Sequence, residues 1–422
     1  MRFLFDLAVR NLFRHRRRTI ITAVAIGVGL GIYIFLDAFL LGAELESQRN
    51  LVWYETSSAR VYDEQYWEER MLHPLDIVIE EPGDVLSVLG ELDIPAAPRT
   101  VFSGELVVFR DPFPEDGNAR VTAYGIDPER DDDVFRLRET LTEGRYLEPE
   151  EPGALMGAWL AEDLGAEVGY PFTIITRTRQ GYYQTMDLEI VGIVNTPNPV
   201  INRTGLFVPL ETVDYYLQMD GAVTEVNMQF RGNVIRGNSS YLERRARDVE
   251  TAIASVAPDT EVFSWRELAA DYLSLAGAKQ SGSGLILFLV FVIAAVGVSN
   301  TMLMSVYERT RELGMMRALG MRDREIRIAF LLEAGGIGII GALLGSILGL
   351  LLTSFIVYIG IDYGWILREM DVGYRIAGVI RGAWHPAAFL QASVTGIILS
   401  MVIALIPTRR ALKMEVTEAL RS

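Results

Sequence analysis

Four apolar runs, at residues 19–42, 283–306, 330–359 and 387–406, constrain this chain more than any other feature. A bilayer hydrocarbon core of roughly 30 Å takes about 20 helical residues to cross, and every run is long enough. Hydrocarbon offers no water to backbone N–H and C=O groups, so each run is expected as a transmembrane helix. Their only acids are Asp37, near the outer end of the first run, and Glu333, near the inner end of the third. Both positions suit a water interface. Arg14, Arg16, Arg17 and Arg18 precede the first run as they would in a signal peptide. That run is longer than a signal h-region, and no small-x-small cleavage site follows before Glu44, so an uncleaved helix is expected.

Charge is split along the same lines. Residues 43–282 carry 20 basic and 43 acidic side chains, a net of −23, while the remainder carries 19 and 12, a net of +7. The formal charge of −16 describes neither part, and a chain this acidic is excluded as a nucleic-acid binder. Residues 1–18 and 307–329 hold six arginines each, and the tail 407–422 adds Arg409, Arg410, Lys413 and Arg421. The positive-inside rule places these segments and both termini in the cytoplasm, with 43–282 and the short loop 360–386 outside. Within 1–18, Leu4, Phe5, Ala8, Val9, Leu12 and Phe13 share one helical arc and Asp6, Arg10, Arg14 and Arg17 the opposite one. Such a helix lies in the headgroup layer.

Ala23, Gly27 and Gly31 repeat at four-residue spacing in the first span, as do Gly341, Gly345 and Gly349 in the third. Small residues at this spacing let helix backbones approach closely, within one subunit or across a dimer. No span presents the polar face a water-filled pore needs.

Several chemistries are missing. There is no cysteine, and His15, His73 and His385 are far apart in sequence, so neither a metal centre nor a catalytic triad is expected. A Walker A loop needs a Gly-Lys pair, yet the only lysines, Lys279 and Lys413, follow Ala278 and Leu412. The chain is therefore read as non-enzymatic, with no cofactor of its own.

Residues 43–282 read as mixed α/β. Strand-like runs fall at 75–80, 105–109, 120–123, 172–176, 188–194, 205–208, 225–230 and 261–263, and helical patterns at 83–92, 158–164, 210–218 and 239–257. The continuation 43–55 of the first span and the stretch 265–280 before the second also read as helical, together forming a stalk.

The most informative stretch is 307–329. It is too charged for a span, but Leu313, Met316 and Leu319 keep helical spacing, Gly314 and Gly320 punctuate it, and Asp323 is placed to cap the next helix. Glu308 through Gly320 reads ERTRELGMMRALG, followed by Leu331-Leu332-Glu333-Ala334. The end of the chain contains Pro407, Arg409, Arg410, Ala411, Glu418, Ala419, Leu420 and Arg421 in the pattern PxRRAxxxxxxEALR, and its start contains Ala8-x-Arg10-Asn11-Leu12. These strings resemble the MacB/FtsX/LolC-LolE superfamily of ABC-transporter permeases. The order Gly125-Ile126-Asp127, Glu143-Gly144-Arg145, the 160–164 helix, Val168-Gly169 and Val191-Gly192-Ile193-Val194 resembles that family's periplasmic core domain.

The resemblance implies a fold of four transmembrane helices plus a large extracytoplasmic α/β domain in a bacterial inner membrane. It implies that Glu308, Arg309, Arg311, Glu312, Leu313, Gly314, Met316, Arg317, Ala318, Leu319 and Gly320 form a coupling helix seated on a separate ABC ATPase, which would bind ATP and magnesium. A second permease copy, identical or paralogous, would complete the assembly. MacB-type proteins usually carry a fused N-terminal ATPase, for which residues 1–18 leave no room. The unfused head of about 240 residues looks most like the lipoprotein-releasing type, with LolC-like release of lipoproteins from the outer leaflet as the expected activity. MacB-like efflux of peptides or amphiphilic drugs, and FtsX-like mechanotransmission to an external hydrolase, are the alternatives. In LolC-like proteins a hairpin recruits a periplasmic carrier; the corresponding stretch here, 177–186, is short and offers Arg177, Arg179, Tyr182 and Tyr183 to a partner or forms a plain turn.

Overall fold

A computed structural model describes residues 16–149, 151–232, 239–274, 310–318, 320–362 and 379–412 without a break, together with scattered positions in 8–14, 235 and 284–304. The chain divides into two compact units. One contains Met1–Leu45, Leu275–Ile361 and Val379–Ser422, and the other is built on Glu46–Ser274.

Three helices dominate the first unit: α1 (Arg16–Leu51), α3 (Asp323–Tyr358) and α4 (Pro386–Leu412). A nine-residue helix, α2 (Thr310–Ala318), precedes α3. The three long helices are apolar enough to span a membrane. The expected span 283–306 lies largely outside the described residues. At about 1.5 Å rise per residue the 36 residues of α1 extend roughly 54 Å, well beyond a bilayer core. The helix thus runs past the expected 19–42 in one piece and ends in a π-helical turn, Val52–Thr56. The helix α3 likewise starts at Asp323, so the last seven residues of the expected loop 307–329 are already its first two turns. Pro386 opens α4 at a position where a missing N–H costs nothing, and the helix continues through Pro407 into the expected tail.

Among the described residues the second unit carries ten strands in one sheet: β1 (Ala59–Asp63), β2 (Ala96–Val108), β3 (Gly117–Ile126), β4 (Leu141–Gly144), β5 (Gly153–Gly157), β6 (Pro171–Arg177), β7 (Tyr183–Val194), β8 (Gly205–Pro209), β9 (Glu225–Met228) and β10 (Thr260–Ser264). They run in the order β10-β1-β9-β2-β3-β8-β5-β7-β4, and β6 pairs with both β7 and β2. The last pairing closes the circuit β2-β3-β8-β5-β7-β6 into a six-stranded barrel. Two of its contacts, β3–β8 and β5–β7, are parallel. Alternate residues of all six strands, among them Phe102, Leu106, Val121, Met156, Phe172, Ile174, Met186, Leu188 and Leu206, share one buried core. Closure removes free strand edges and fixes the register, since a one-residue slip would turn that whole row outward.

The first part of β2 leaves the barrel to pair with β9, and β1 and β10 extend that sheet. Helices Pro82–Glu91 and Ser239–Ile253 cover it around Val85, Leu89, Val226, Leu242, Val249 and Trp265. The expected strand 75–80 is absent except for one bridge, Ile79 to Val223. Its apolar alternation serves two cores instead: Leu75 and Val78 pack in the barrel cluster and Ile79 in the other.

Candidate functional site

The short helix α2 is finished with unusual care. The Gly320 N–H donates to the Arg317 carbonyl at 3.0 Å and the Met321 N–H to the Met316 carbonyl at 3.0 Å. This pair of bonds is the Schellman arrangement, which needs a left-handed residue after the helix; Gly320 supplies it with φ +93°. Met316 and Met321, the positions whose apolar contact accompanies such a cap, both pack against the cluster built on Ile326, Phe330 and Ile337. Arg317 then pairs with Asp323 at 3.3 Å across the turn. Asp323 is therefore not the cap of α3, as its position in sequence suggested. The extended residue is Arg322, and its N–H is taken by the Glu325 carboxylate at 2.8 Å.

At the other end of α2, the Glu312 carboxylate accepts a hydrogen bond of 2.9 Å from Arg14 Nη1. Of the residues expected in the coupling segment, Arg311, Glu312, Leu313, Gly314, Met316, Arg317 and Ala318 are on α2 and Gly320 forms its cap. Glu308, Arg309 and Leu319 lie outside the described residues.

The two small-residue stripes meet each other inside one chain. A Cβ added to Gly345 would lie 2.8 Å from Leu30 Cβ and 2.9 Å from the Gly27 carbonyl oxygen; one added to Gly341 would lie 3.2 Å from the Ala23 carbonyl. Gly27 meets the Gly341 carbonyl at 3.1 Å in the same way, Gly31 faces Leu348 and Gly349 faces Ile34. Helices α1 and α3 thus approach closely over three successive turns, with backbone against glycine at Ala23–Gly341 and Gly27–Gly345 and side chains against glycine at Gly31 and Gly349. No Cβ fits between them.

In the second unit the stretch 177–186 begins with a tight hairpin. Arg177 and Tyr183 are the last cross-strand pair of β6 and β7, and Gly181, at φ +85°, returns its N–H to the Thr178 carbonyl at 2.9 Å. Tyr182 and Tyr183 are exposed, and the Arg177 guanidinium sits 5.0 Å from the Tyr183 ring centre. Arg179 points back: it donates to the Met219 carbonyl at 3.2 Å and pairs with Glu80. The hairpin borders a groove of about 1100 Å³, lined also by His73, Ser103, Glu105 and Arg120. His73 Nδ1 is 2.8 Å from Ser103 Oγ, and burial holds the imidazole below its usual pKa against the opposing pull of Glu225.

Charge also lies at the heart of this unit. Arg99 holds Asp131 through two bonds of 2.7 and 3.0 Å, both side chains being fully buried, with the guanidinium 3.4 Å from the Phe135 ring centre. Arg60 pairs with Glu225 at 2.9 Å, and Tyr62 and Asn227 complete the carboxylate's hydrogen bonds. The acidic run 131–133 accordingly supplies ion pairs, Asp131 to Arg99 and Asp132 to Arg138. Among the described residues no group of three or more potential ligands is arranged to hold a metal.

Apolar helices packed closely through glycine, with a capped short helix leading into one of them, are the architecture of a membrane domain, and residues 284–416 match the FtsX-like permease C-terminal family. Over 430 aligned positions, covering 99% of this chain and 60% of the relative, the chain is 23% identical to the macrolide export ATP-binding/permease protein MacB of Pasteurella multocida (strain Pm70). It is 26% identical over 308 positions to the lipoprotein-releasing system transmembrane protein LolC of Xylella fastidiosa (strain 9a5c), covering 70% of this chain and 72% of LolC. The matched family segment takes in about a third of the chain, and the similarity to MacB spans about 60% of that relative's length. The periplasmic region of MacB from Actinobacillus actinomycetemcomitans aligns with 51% of this chain and 93% of that structure, at 17% identity and a TM-score of 0.36.

Proposed function

We propose that the chain is the permease subunit of an ATP-driven transporter, seated through α2 on separate ATPase subunits that bind ATP and magnesium. The observation that carries this reading is the construction of α2: a short charged helix within the FtsX-like segment, locked to α3 by a glycine cap and the Arg317–Asp323 pair. A push on such a helix reaches α3 without slack, and glycine contacts relay it to α1. The helix α1 continues unbroken to Leu51, which supports a lever acting on the α/β domain. In this reading both termini and α2 are cytoplasmic, the α/β domain is extracytoplasmic, and a second permease copy, identical or paralogous, completes the assembly.

The cargo proposed is a lipoprotein extracted from the outer leaflet of the inner membrane, in keeping with the LolC relative. Efflux of a peptide or amphiphile is the second reading, favoured by the MacB relative, whose alignment takes in nearly all of this chain. In either case the exposed Arg177–Tyr183 hairpin is the surface offered to a carrier or adaptor. Purification with its ATPase tests the first step: a complex whose ATP hydrolysis depends on this chain supports it, and failure to recover any P-loop ATPase contradicts it. Depletion in cells separates the cargoes, since lipoproteins held back in the inner membrane support release, and normal lipoprotein sorting with raised sensitivity to amphiphiles supports efflux.

A further inference from the structure

The helix α2 is nine residues long, and an isolated helix of that length is marginal in water. Its orientation must therefore be imposed by its surroundings. The C-terminal end is fixed by the Gly320 cap and by Arg317 on Asp323. A single anchored end leaves a short rod free to pivot. The opposite end is held by Arg14, whose Nη1 donates to Glu312 at 2.9 Å from a point 298 residues earlier in the chain.

That guanidinium is itself delivered by a built seat. Leu12 packs on the cluster that also takes Met316, and its carbonyl accepts from Thr19 Oγ at 3.2 Å. Leu12 lies over Gly336 of α3 so closely that a Cβ there would sit 2.4 Å from Leu12 Cδ1. Gly336 thus makes room for Leu12, and Arg14 follows two residues later on the exposed side.

We propose that Arg14 is a positioning residue for ATPase docking: through Glu312 it fixes the direction in which α2 meets the ATPase, making the segment before the first span part of the coupling device. The proposal rests on the docking reading above. Glu312 then acts chiefly inside the permease, turned toward Arg14, while the faces of α2 left open serve the ATPase.

The test is a charge exchange in the full permease reconstituted with its ATPase. Arg14→Glu and Glu312→Arg each place like charges together and are expected to lower ATPase stimulation about fivefold, the scale of an exposed ion pair reversed. The double exchange R14E/E312R is expected to return stimulation to within about twofold of wild type, and R14K to retain it. A merely structural role would lower the permease's thermal unfolding temperature in parallel, so unchanged unfolding of R14E assigns its loss of stimulation to docking. Because the chain has no cysteine, Cys pairs at 14 and 312 can be added without background, and their crosslinking reports the contact itself. Stimulation by R14E equal to wild type, or a double exchange no better than E312R alone, overturns the proposal and leaves Glu312 as a direct ATPase contact. A wild-type chain that stimulates no ATPase overturns the docking reading, whatever the crosslink shows.

Discussion

His385 Nδ1 lies 2.6 Å from Asp37 Oδ2, joining a residue just before α4 to one 348 positions earlier near the middle of α1. The neighbouring Ala383 N–H donates to the Ala38 carbonyl at 2.9 Å, and the Gly382 N–H to the Ile356 carbonyl of α3 at 3.1 Å. One short segment therefore ties all three long helices together. The pair is partly exposed, with side chains 40% and 24% accessible. Removing either partner, by His385→Ala or Asp37→Ala, is expected to cost roughly 0.2–1 kcal/mol of stability. In detergent, thermal unfolding of the double variant should match that of the worse single variant, because one interaction is lost only once.

Glycine contacts along α1 and α3 make a sharper prediction. Gly345→Ala drives a methyl into the Gly27 backbone, which cannot swing aside as a side chain would. A loss of about 1–3 kcal/mol is expected. Gly90→Ala, in a helix position with nothing within 4 Å, should be neutral or gain up to about 1 kcal/mol. Equal effects at the two sites would remove the argument from close approach.

The Arg99–Asp131 pair is buried on every side. Asp131→Ala leaves a guanidinium without its carboxylate and is expected to cost about 3–5 kcal/mol, whereas replacing both partners with apolar residues of similar volume should cost much less. Denaturant unfolding of the two variants in the full chain separates these outcomes.

His73 gives a pH dependence. Burial lowers its pKa in the folded state below the usual 6.5, so the unfolded chain takes up the proton first. Its contribution is accordingly constant above that value, and stability falls as pH drops below it, until the folded imidazole also protonates. Replacing His73 with Gln should flatten this part of the stability–pH curve. An unchanged curve would assign the slope to other groups.

Some of this was legible in the sequence and some was not, for identifiable reasons. Spacing alone picked out Gly27 and Gly345, because a four-residue repeat of small residues survives without knowledge of the partner; that each stripe faces the other needed coordinates. Four of the domain helices were readable from their periodicity and stop signals, as at Ser239–Ile253 before Pro258, whereas Pro128–Val134 and Pro199–Thr204 are too short to show a helical repeat. The strand β5 was missed because all five of its residues are buried, leaving no alternation, and β4 because it is four residues long. Barrel closure was illegible because it depends on a three-residue pairing, Glu105–Val107 with Thr173–Ile175, between strands distant in sequence. The partners of Glu312 and Asp37 were hidden by the same separation. Gly320 was visible as punctuation, but its role as a cap appeared only with its backbone bonds to Arg317.

The most direct measurement is ATP hydrolysis by the reconstituted complex with Arg317→Glu in α2. Reversal breaks the pair with Asp323 and places a carboxylate on the helix proposed to meet the ATPase, while the α/β unit contains none of these residues. Stimulation is predicted to fall at least tenfold with unfolding of the α/β unit unchanged, a loss of about 1.4 kcal/mol in coupling. Stimulation equal to wild type would contradict docking through α2.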